Sequence, residues 1–350
     1  MRKYSETVKV LGSFIGPDTA SDDGLRRALA RVEQVRGGIA TLEDPGAELV
    51  LTRKCADVAK VSYVMRCSGD RLDEDLLKEF DEGLRNAVEN TLGGAVKDDS
   101  WLQATTAVPT GGLGFREATS IALPAFVASR VAARPAALIM AGHAEAAGLL
   151  TTDVFAQHYD LRTSAAVQRW LSDLPVDLHE AVQSTIEDAA CAAKVWWDTA
   201  ASGQESGHPD RGNEEEVPQY QGGPRLINAT GAEDAEHPIG HAGALALHLQ
   251  RRLTDIVDRR VATSLAESLG RANRWSDVRR LREISDPECS HEWLWQHSIV
   301  TGPILRDVGY VTAVRLRLGA AGPDEPAVCG YCGTSLLYAS ALTHCVVPIA

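Results

Sequence analysis

Three cysteines and a histidine near the C-terminal end carry the sharpest chemical signal in the chain. Cys329-Gly-Tyr-Cys332-Gly333 spaces two thiolates so that both can bind one tetrahedral zinc, and the glycines let the backbone turn around the metal. That pair supplies two ligands. His344 and Cys345 extend it to C-x2-C-x11-H-C, close to a zinc knuckle. The adjacent third and fourth ligands sit awkwardly on one tetrahedron, and Cys289 or His291 could take either place. A structural Zn2+ on Cys329, Cys332, His344 and Cys345 is the expected cofactor, with two ordinary loop thiols as the alternative. No catalytic cofactor is expected. A redox CxxC needs a thioredoxin-like βαβ setting, and the surrounding sequence lacks one.

The other constellations are weaker. His143-Ala-Glu145 matches the first half of a zinc-deaminase signature, but the CxxC pair begins 184 residues after Glu145, and those enzymes need both motifs in one compact core. Pro109-Thr-Gly-Gly-Leu-Gly-Phe115 lacks the GK[ST] ending and the GxGxxG spacing of phosphate cradles. Gly111, Gly112 and Gly114 instead predict a tight turn with positive-φ positions. Asp22-Asp23 and Asp98-Asp99 stand where helix starts favour Asp, so capping accounts for them. His237, His241 and His248 are expected as surface histidines. Residues 246–283 hold nine Arg against five acids. On a helix Arg251, Arg252, Arg259 and Arg260 recur about every eight residues, a stripe that can grip phosphates or form a solvated face paired with Asp255 and Asp258.

Mostly helices must position these residues. The chain has 350 residues, 44% apolar and 24% charged, with a net charge of −13. That suits a soluble protein of two or three domains and argues against coating nucleic acid by bulk charge, though not against a local basic face. No secretory leader and no uninterrupted span of ~20 apolar residues is read. An odd count of seven scattered cysteines fits a reducing compartment, nucleus or cytoplasm. Apolar spacing predicts a helix capped at Ser21 and ending at Gly37-Gly38, and a second from Asp44-Pro45 to about Arg66. A third carries Leu76, Leu77, Phe80, Leu84, Val88 and Leu92 on one face and stops at Gly93-Gly94. A segment near Trp101, a helix over 117–133 bent by Pro124, further helix over 136–201 anchored by Trp170, Trp196 and Trp197, and a long helix from about 241 to 270 follow. Val314, Leu316 and Leu318 alternate with Arg315 and Arg317, which reads as a short strand, although the window does not exclude a helix. The acidic, Gly/Pro-rich stretch 202–240 is expected as a linker.

Taken in order, several segments resemble reverse-transcriptase ORFs of non-LTR retrotransposons. Val10-Leu-Gly-Ser-Phe-Ile-Gly16 resembles the passage from palm to thumb. Leu51, Arg53, Cys55, Tyr63 and Arg66 match a thumb helix pair. Trp101-Leu-Gln-Ala104, Pro109 and Gly111-Gly-Leu-Gly-Phe-Arg116 resemble the Trp-x-Gln-Ala…Pro…Gly-Gly-Leu-Gly-Leu-Arg segment. Ala125, Ala128 and Ser129 fit the helix after it. Trp293-Leu294, Arg315-Leu-Arg-Leu-Gly319 and Cys329/Cys332/His344 resemble a connector and zinc knuckle. The family's paired catalytic aspartates, needed for two-metal nucleotidyl transfer, have no counterpart; Asp22-Asp23 lie after the Leu-Gly…Gly segment, not before it. The resemblance implies a thumb-and-connector fragment without the catalytic palm, not an enzyme on its own. Its mainly α fold would comprise a thumb-like domain over 1–135, a helical extension over 136–201, the linker over 202–240, a basic connector over 241–318 and a truncated knuckle over 319–350. It would bind RNA or an RNA–DNA duplex weakly through Arg26, Arg27, Arg31, Lys54 and Lys60 of the thumb and through the Arg stripe, and no membrane. The alternative is a helical protein–protein interaction module with a structural zinc and no nucleic-acid role.

Overall fold

A computed structural model describes residues 8–10, 13–15, 19–201, 238–287, 291, 294 and 307–320. The fold is mainly helical, as the periodicity predicts. A short antiparallel hairpin precedes the helices: β1 (Val8–Val10) and β2 (Ser13–Ile15) pair Val8 with Ile15 and Val10 with Ser13. Helix α1 (Ala20–Ile39) buries Leu25, Leu29 and Val32 of the face that Leu25, Leu29, Val32 and Val35 mark out, leaves Val35 exposed, and runs through Gly37-Gly38 to Ile39. Its start differs from expectation. Thr19 holds the cap position without a side-chain hydrogen bond, and Ser21 is already helical and buried. The Asp22 carboxylate accepts instead from the Asp73 backbone N–H at 3.0 Å. Helix α2 (Pro45–Cys55) begins as Asp44-Pro45 predicts, with the Asp44 carboxylate accepting from Ala47 N–H at 2.9 Å.

That helix stops at Cys55 rather than Arg66. The carboxylate of buried Asp57 accepts the Val58 N–H at 2.6 Å, which draws the chain into a 3-10 turn over Val58–Lys60 before α3 (Ser62–Ser68). A side chain competing for backbone N–H groups is a sufficient reason for a helix break. Helix α4 (Glu74–Leu92) buries all six apolar residues of the predicted face and ends on Gly93 at φ 71°, the left-handed cap that glycine adopts without steric cost.

Then come α5 (Asp98–Ala104), a 3-10 turn over Val108–Thr110 and α6 (Ala118–Ala146). The last outruns the expected 117–133, passing through both Pro124 and Pro135. Each proline removes one helix donor. The run Ile121 to Ala128 is wholly buried, and apolar burial of that extent offsets the missing bonds. The start of α6 is fixed by Asp81, whose carboxylate accepts from the N–H groups of Ala118 and Thr119 and from the Thr119 hydroxyl. Among the described residues α6 alone is long and apolar enough to cross a membrane.

Helices α7 (Thr152–Asp173), α8 (His179–Ala201), α9 (Pro238–Arg271), α10 (Trp275–Ile284) and α11 (Asp307–Arg317), with a 3-10 turn over Val176–Leu178, complete the described elements. The strand expected around Val314–Leu318 is thus a helix. Arg317 is fully buried beside Val314, Leu316 and Leu318, so the alternation of Arg with apolar residues does not mark a sheet with one wet face.

The described residues fall into two compact units. The first takes the residues up to Val64, Arg71–Ile121 and the residues from Val257 on; the second takes Met65–Asp70 and Ala122–Ile256. In the first, Arg36 is a buried tie. Its guanidinium donates to the carbonyls of Ala56 and Phe80, pairs with Glu33 at 2.5 Å and stacks over the Phe80 ring at 4.6 Å. In the second, arginines join helices. Arg130 lies 3.6 Å over the Tyr159 ring and donates to Thr163, while Tyr159 donates back to the Arg130 carbonyl. Arg134 and Arg162 make two-pronged pairs with Asp160 and Asp70, the arrangement that suits the planar guanidinium fork.

Candidate nucleic-acid interface

The Trp101–Arg116 segment, the most specific part of the sequence pattern, is interior scaffolding. The Trp101 indole donates to Glu117 at 2.8 Å. Gln103 is buried; its amide nitrogen donates to the carbonyls of Gly111 (2.8 Å) and Arg317 (2.9 Å), and its oxygen accepts from Arg280 (2.9 Å). The glycine turn is built as its composition predicts. Gly111 and Gly114 have φ of 92° and 72°. Gly112 is required for closeness instead, because a Cβ there would lie 2.1 Å from the Thr106 carbonyl. N–H groups of Gly111, Gly112, Leu113 and Gly114 all donate within the turn, so they are spent on the fold and not offered to a phosphate.

Two buried arginines close over this turn. Arg317 donates to the carbonyls of Gly112 (3.2 Å) and Val108 (2.9 Å), and Arg280 donates to the Arg317 carbonyl. Arg317 also faces Nδ1 of His291 at 3.5 Å. Burial, then the charge of Arg317, lowers that imidazole to about 4, so it stays neutral and able to accept. Arg116 makes a two-pronged pair with Asp258 at 2.7 Å on both arms, and Asp258 also accepts from the Ala107 N–H at 3.0 Å. Such a desolvated pair, once formed, costs ~3–5 kcal/mol to break by removing one partner. The pattern residues therefore clamp α10, α11 and the second half of α9 onto the 98–121 segment.

Against this interior stand the outward cations. Arg26, Arg27 and Arg31 are exposed on α1, Lys54 on α2 and Lys60 in the turn after it; all five belong to the first unit. Arg26 pairs with Asp23 at 3.2 Å, with both side chains about half exposed, so that pair holds its cation weakly. The Arg stripe of α9 is divided. Arg251 and Arg252 are exposed and belong to the second unit, where Arg252 lies 3.8 Å from Asp188. Arg259 and Arg260 belong to the first, with Arg260 3.9 Å from Glu267. Asp258, weighed as a surface partner of the stripe, is instead the buried partner of Arg116.

Cys329, Cys332, His344, Cys345 and Cys289 lie outside the described residues. Among the described residues no group of three or more His, Cys, Asp or Glu is placed to hold a metal. His143 is exposed, and Glu145 accepts from the N–H and hydroxyl of Thr152, holding the first turn of α7. Asp99 pairs with Arg274 and Asp98 with Arg85 at 2.9 Å, so this carboxylate pair serves the fold.

Sequence reasoning missed the junction of Gln103, Arg116, Asp258, Arg280 and Arg317, because partners more than a hundred residues apart leave no local pattern. It also passed over Trp275 and counted Arg279 and Arg282 only within the basic tract, although the spacing of four and three residues among the three is a signal for one helix face. Compared with protein-family models, curated proteins and solved structures, the chain gives no match.

Proposed function

We propose that this chain is a nucleic-acid-binding helical protein similar to the thumb and connector of non-LTR reverse transcriptases, and that it grips an RNA–DNA or RNA duplex without extending it. The observation that carries this is the division of labour among its cations. Arginines of the Trp101–Arg116 pattern and of α10–α11 are consumed in the interior, whereas Arg26, Arg27, Arg31, Lys54 and Lys60 are exposed on one unit. Exposed cations on helices neutralise phosphates and release counterions, which gives sequence-independent, salt-sensitive binding. With a net charge of −13 the binding is modest and local to those cations.

Fluorescence anisotropy of a labelled RNA–DNA hybrid tests it. Affinity should fall as salt rises, with a log–log slope of roughly 0.9 per phosphate neutralised on B-form duplex. Replacing Arg27, Arg31 and Lys54 by Ala together should lower both affinity and slope. No binding at low salt, or a slope unchanged by the triple substitution, sinks the proposal. Primer extension with added Mg2+ would sink its non-catalytic half.

One observation favours a second reading, a protein-interaction module. Met140, Leu149 and Leu161 are 71, 77 and 68% exposed, large apolar side chains of the second unit that a partner protein would cover favourably. Concentration-dependent sedimentation, with duplex binding absent, would favour it.

A further inference from the structure

The first unit carries a second, chemically different surface. Helix α10 buries Val278, Leu281 and Ile284 against Leu265 and Leu269 of α9, which turns its other face outward. On that face stand Trp275, 64% exposed, then Arg279 and Arg282, four and seven residues on. Arg271, at the end of α9, is exposed as well. Trp275 is not a loose side chain. A Cβ added at Gly270 would lie 3.5 and 3.6 Å from its Cζ3 and Cη2, so the indole lies against the last turn of α9 with glycine beneath it. An aromatic of that size left in water is unfavourable unless something covers it.

The charges nearby narrow what covers it. Residues 271–287 hold five Arg against Asp277, Glu283 and Asp286. Asp277 is taken up by Arg274 (2.7 Å) and Arg280 (3.4 Å), and Glu283 by Arg279 at 2.8 Å. Arg279 nevertheless keeps 74% of its side chain exposed. A fixed aromatic plane flanked by exposed guanidinium groups matches the recognition of unpaired nucleotides: the base stacks on the ring and the backbone phosphates follow the arginines. A duplex offers phosphates but hides its base faces, so it has no use for the indole.

We propose that Trp275, with Arg271, Arg279 and Arg282, forms a stacking site for a base of single-stranded nucleic acid. It rests on the nucleic-acid reading above but uses residues outside the duplex-binding set, so the two can fail separately. The probe is a fluorescent oligothymidylate, compared with an abasic strand of equal length and with a blunt RNA–DNA hybrid, all with the full chain at one low salt concentration. Trp275→Ala should weaken oligothymidylate binding about fivefold or more, the lower range for loss of one stacked base. Trp275→Phe should restore most of it. The abasic strand should bind the wild type no better than oligothymidylate binds Trp275→Ala, and the hybrid should bind Trp275→Ala and wild type alike. Circular dichroism of the Ala variant checks that the helices persist. Equal binding of thymidylate and abasic strands, an unaffected Trp275→Ala, or no single-strand binding while the hybrid still binds overturns the stacking site alone. No binding of any of the three overturns both proposals and leaves the exposed indole to a protein partner.

Discussion

At the scale of single residues, two buried carboxylates set how this protein responds to pH. Burial raises Asp57 to about 7, against the opposing hydrogen bonds from Val58 and Arg116 and the charges of Arg53 and Arg116. Burial raises Asp81 to about 6, although it accepts three hydrogen bonds at the start of α6. A carboxyl whose folded value lies above its unfolded one holds its proton in the native state after the unfolded chain has released it. Their contribution to stability is therefore lost as pH rises between the ordinary carboxylate range and about 7, and changes no further above that. His291, lowered to about 4, works in the opposite sense, since stability is lost as pH falls from its ordinary value near 6.5 toward 4. The Asp57 contribution is separable by substitution. Asp57→Asn keeps an oxygen for the Val58 N–H and removes the titration. Its unfolding free energy relative to wild type, read from urea titrations, should shift in the stabilising direction between about pH 5 and about pH 8, by a few kcal/mol at most, because each tenfold change in proton affinity is worth ~1.4 kcal/mol. A difference that stays constant across that range would show that Asp57 does not titrate there.

At the scale of elements, the turn between α5 and α6 is the structural centre of the first unit. Gly112→Ala drives a methyl group into the Thr106 carbonyl, backbone that cannot step aside, and should cost on the order of 3 kcal/mol, read as a lower thermal midpoint. Gly93→Ala, where open space surrounds the position, meets only the strain of its left-handed backbone and should cost less, ~1 kcal/mol. The same elements show what sequence alone discloses. Face spacing and caps are local, so α4 with Gly93, α2 with Asp44-Pro45 and the glycine turn were all legible. The break after Cys55 was not, because it depends on Asp57 being buried with its carboxylate on Val58 N–H. Alternation of Val314, Leu316 and Leu318 with Arg315 and Arg317 suggests a short strand and leaves a helix open; only the carbonyl partners of Arg317 at Val108 and Gly112 explain why the helix keeps an arginine inside. Of the candidate interface, the identity of the outward cations could be read from the sequence. Which arginines were already engaged could not, since Arg116 with Asp258 and Arg280 with Gln103 are contacts across 142 and 177 positions.

At the scale of the whole molecule, the path of the chain matters more than its length. The first unit is assembled from three stretches, and the second occupies most of the sequence between the last two. Ending the chain at residue 201 removes Asp258, Arg280 and Arg317 and leaves the Gln103 amide, the Ala107 N–H and the Val108 and Gly112 carbonyls without those partners. Unsatisfied buried groups cost ~1–3 kcal/mol each, and a domain of this size has only ~5–15 kcal/mol in total. The shortened chain should melt broadly and be cut by protease within 98–121. A sharp, cooperative melt equal to that of the full chain would contradict the clamp.

The interleaved path also bears on how the protein is made. On the ribosome, the segment up to Ile121 emerges first, but Arg317, which closes over its glycine turn, lies 205 residues beyond Gly112. At ~5–20 residues per second, that is a wait of roughly ten to forty seconds. Throughout it, the Gln103 amide and the Val108 and Gly112 carbonyls lack the partners that Arg317 brings. A newly made copy should thus lean on holding chaperones until Arg317 clears the exit tunnel, and synonymous changes that slow translation between codons 122 and 317 should lower its soluble yield without altering a single side chain.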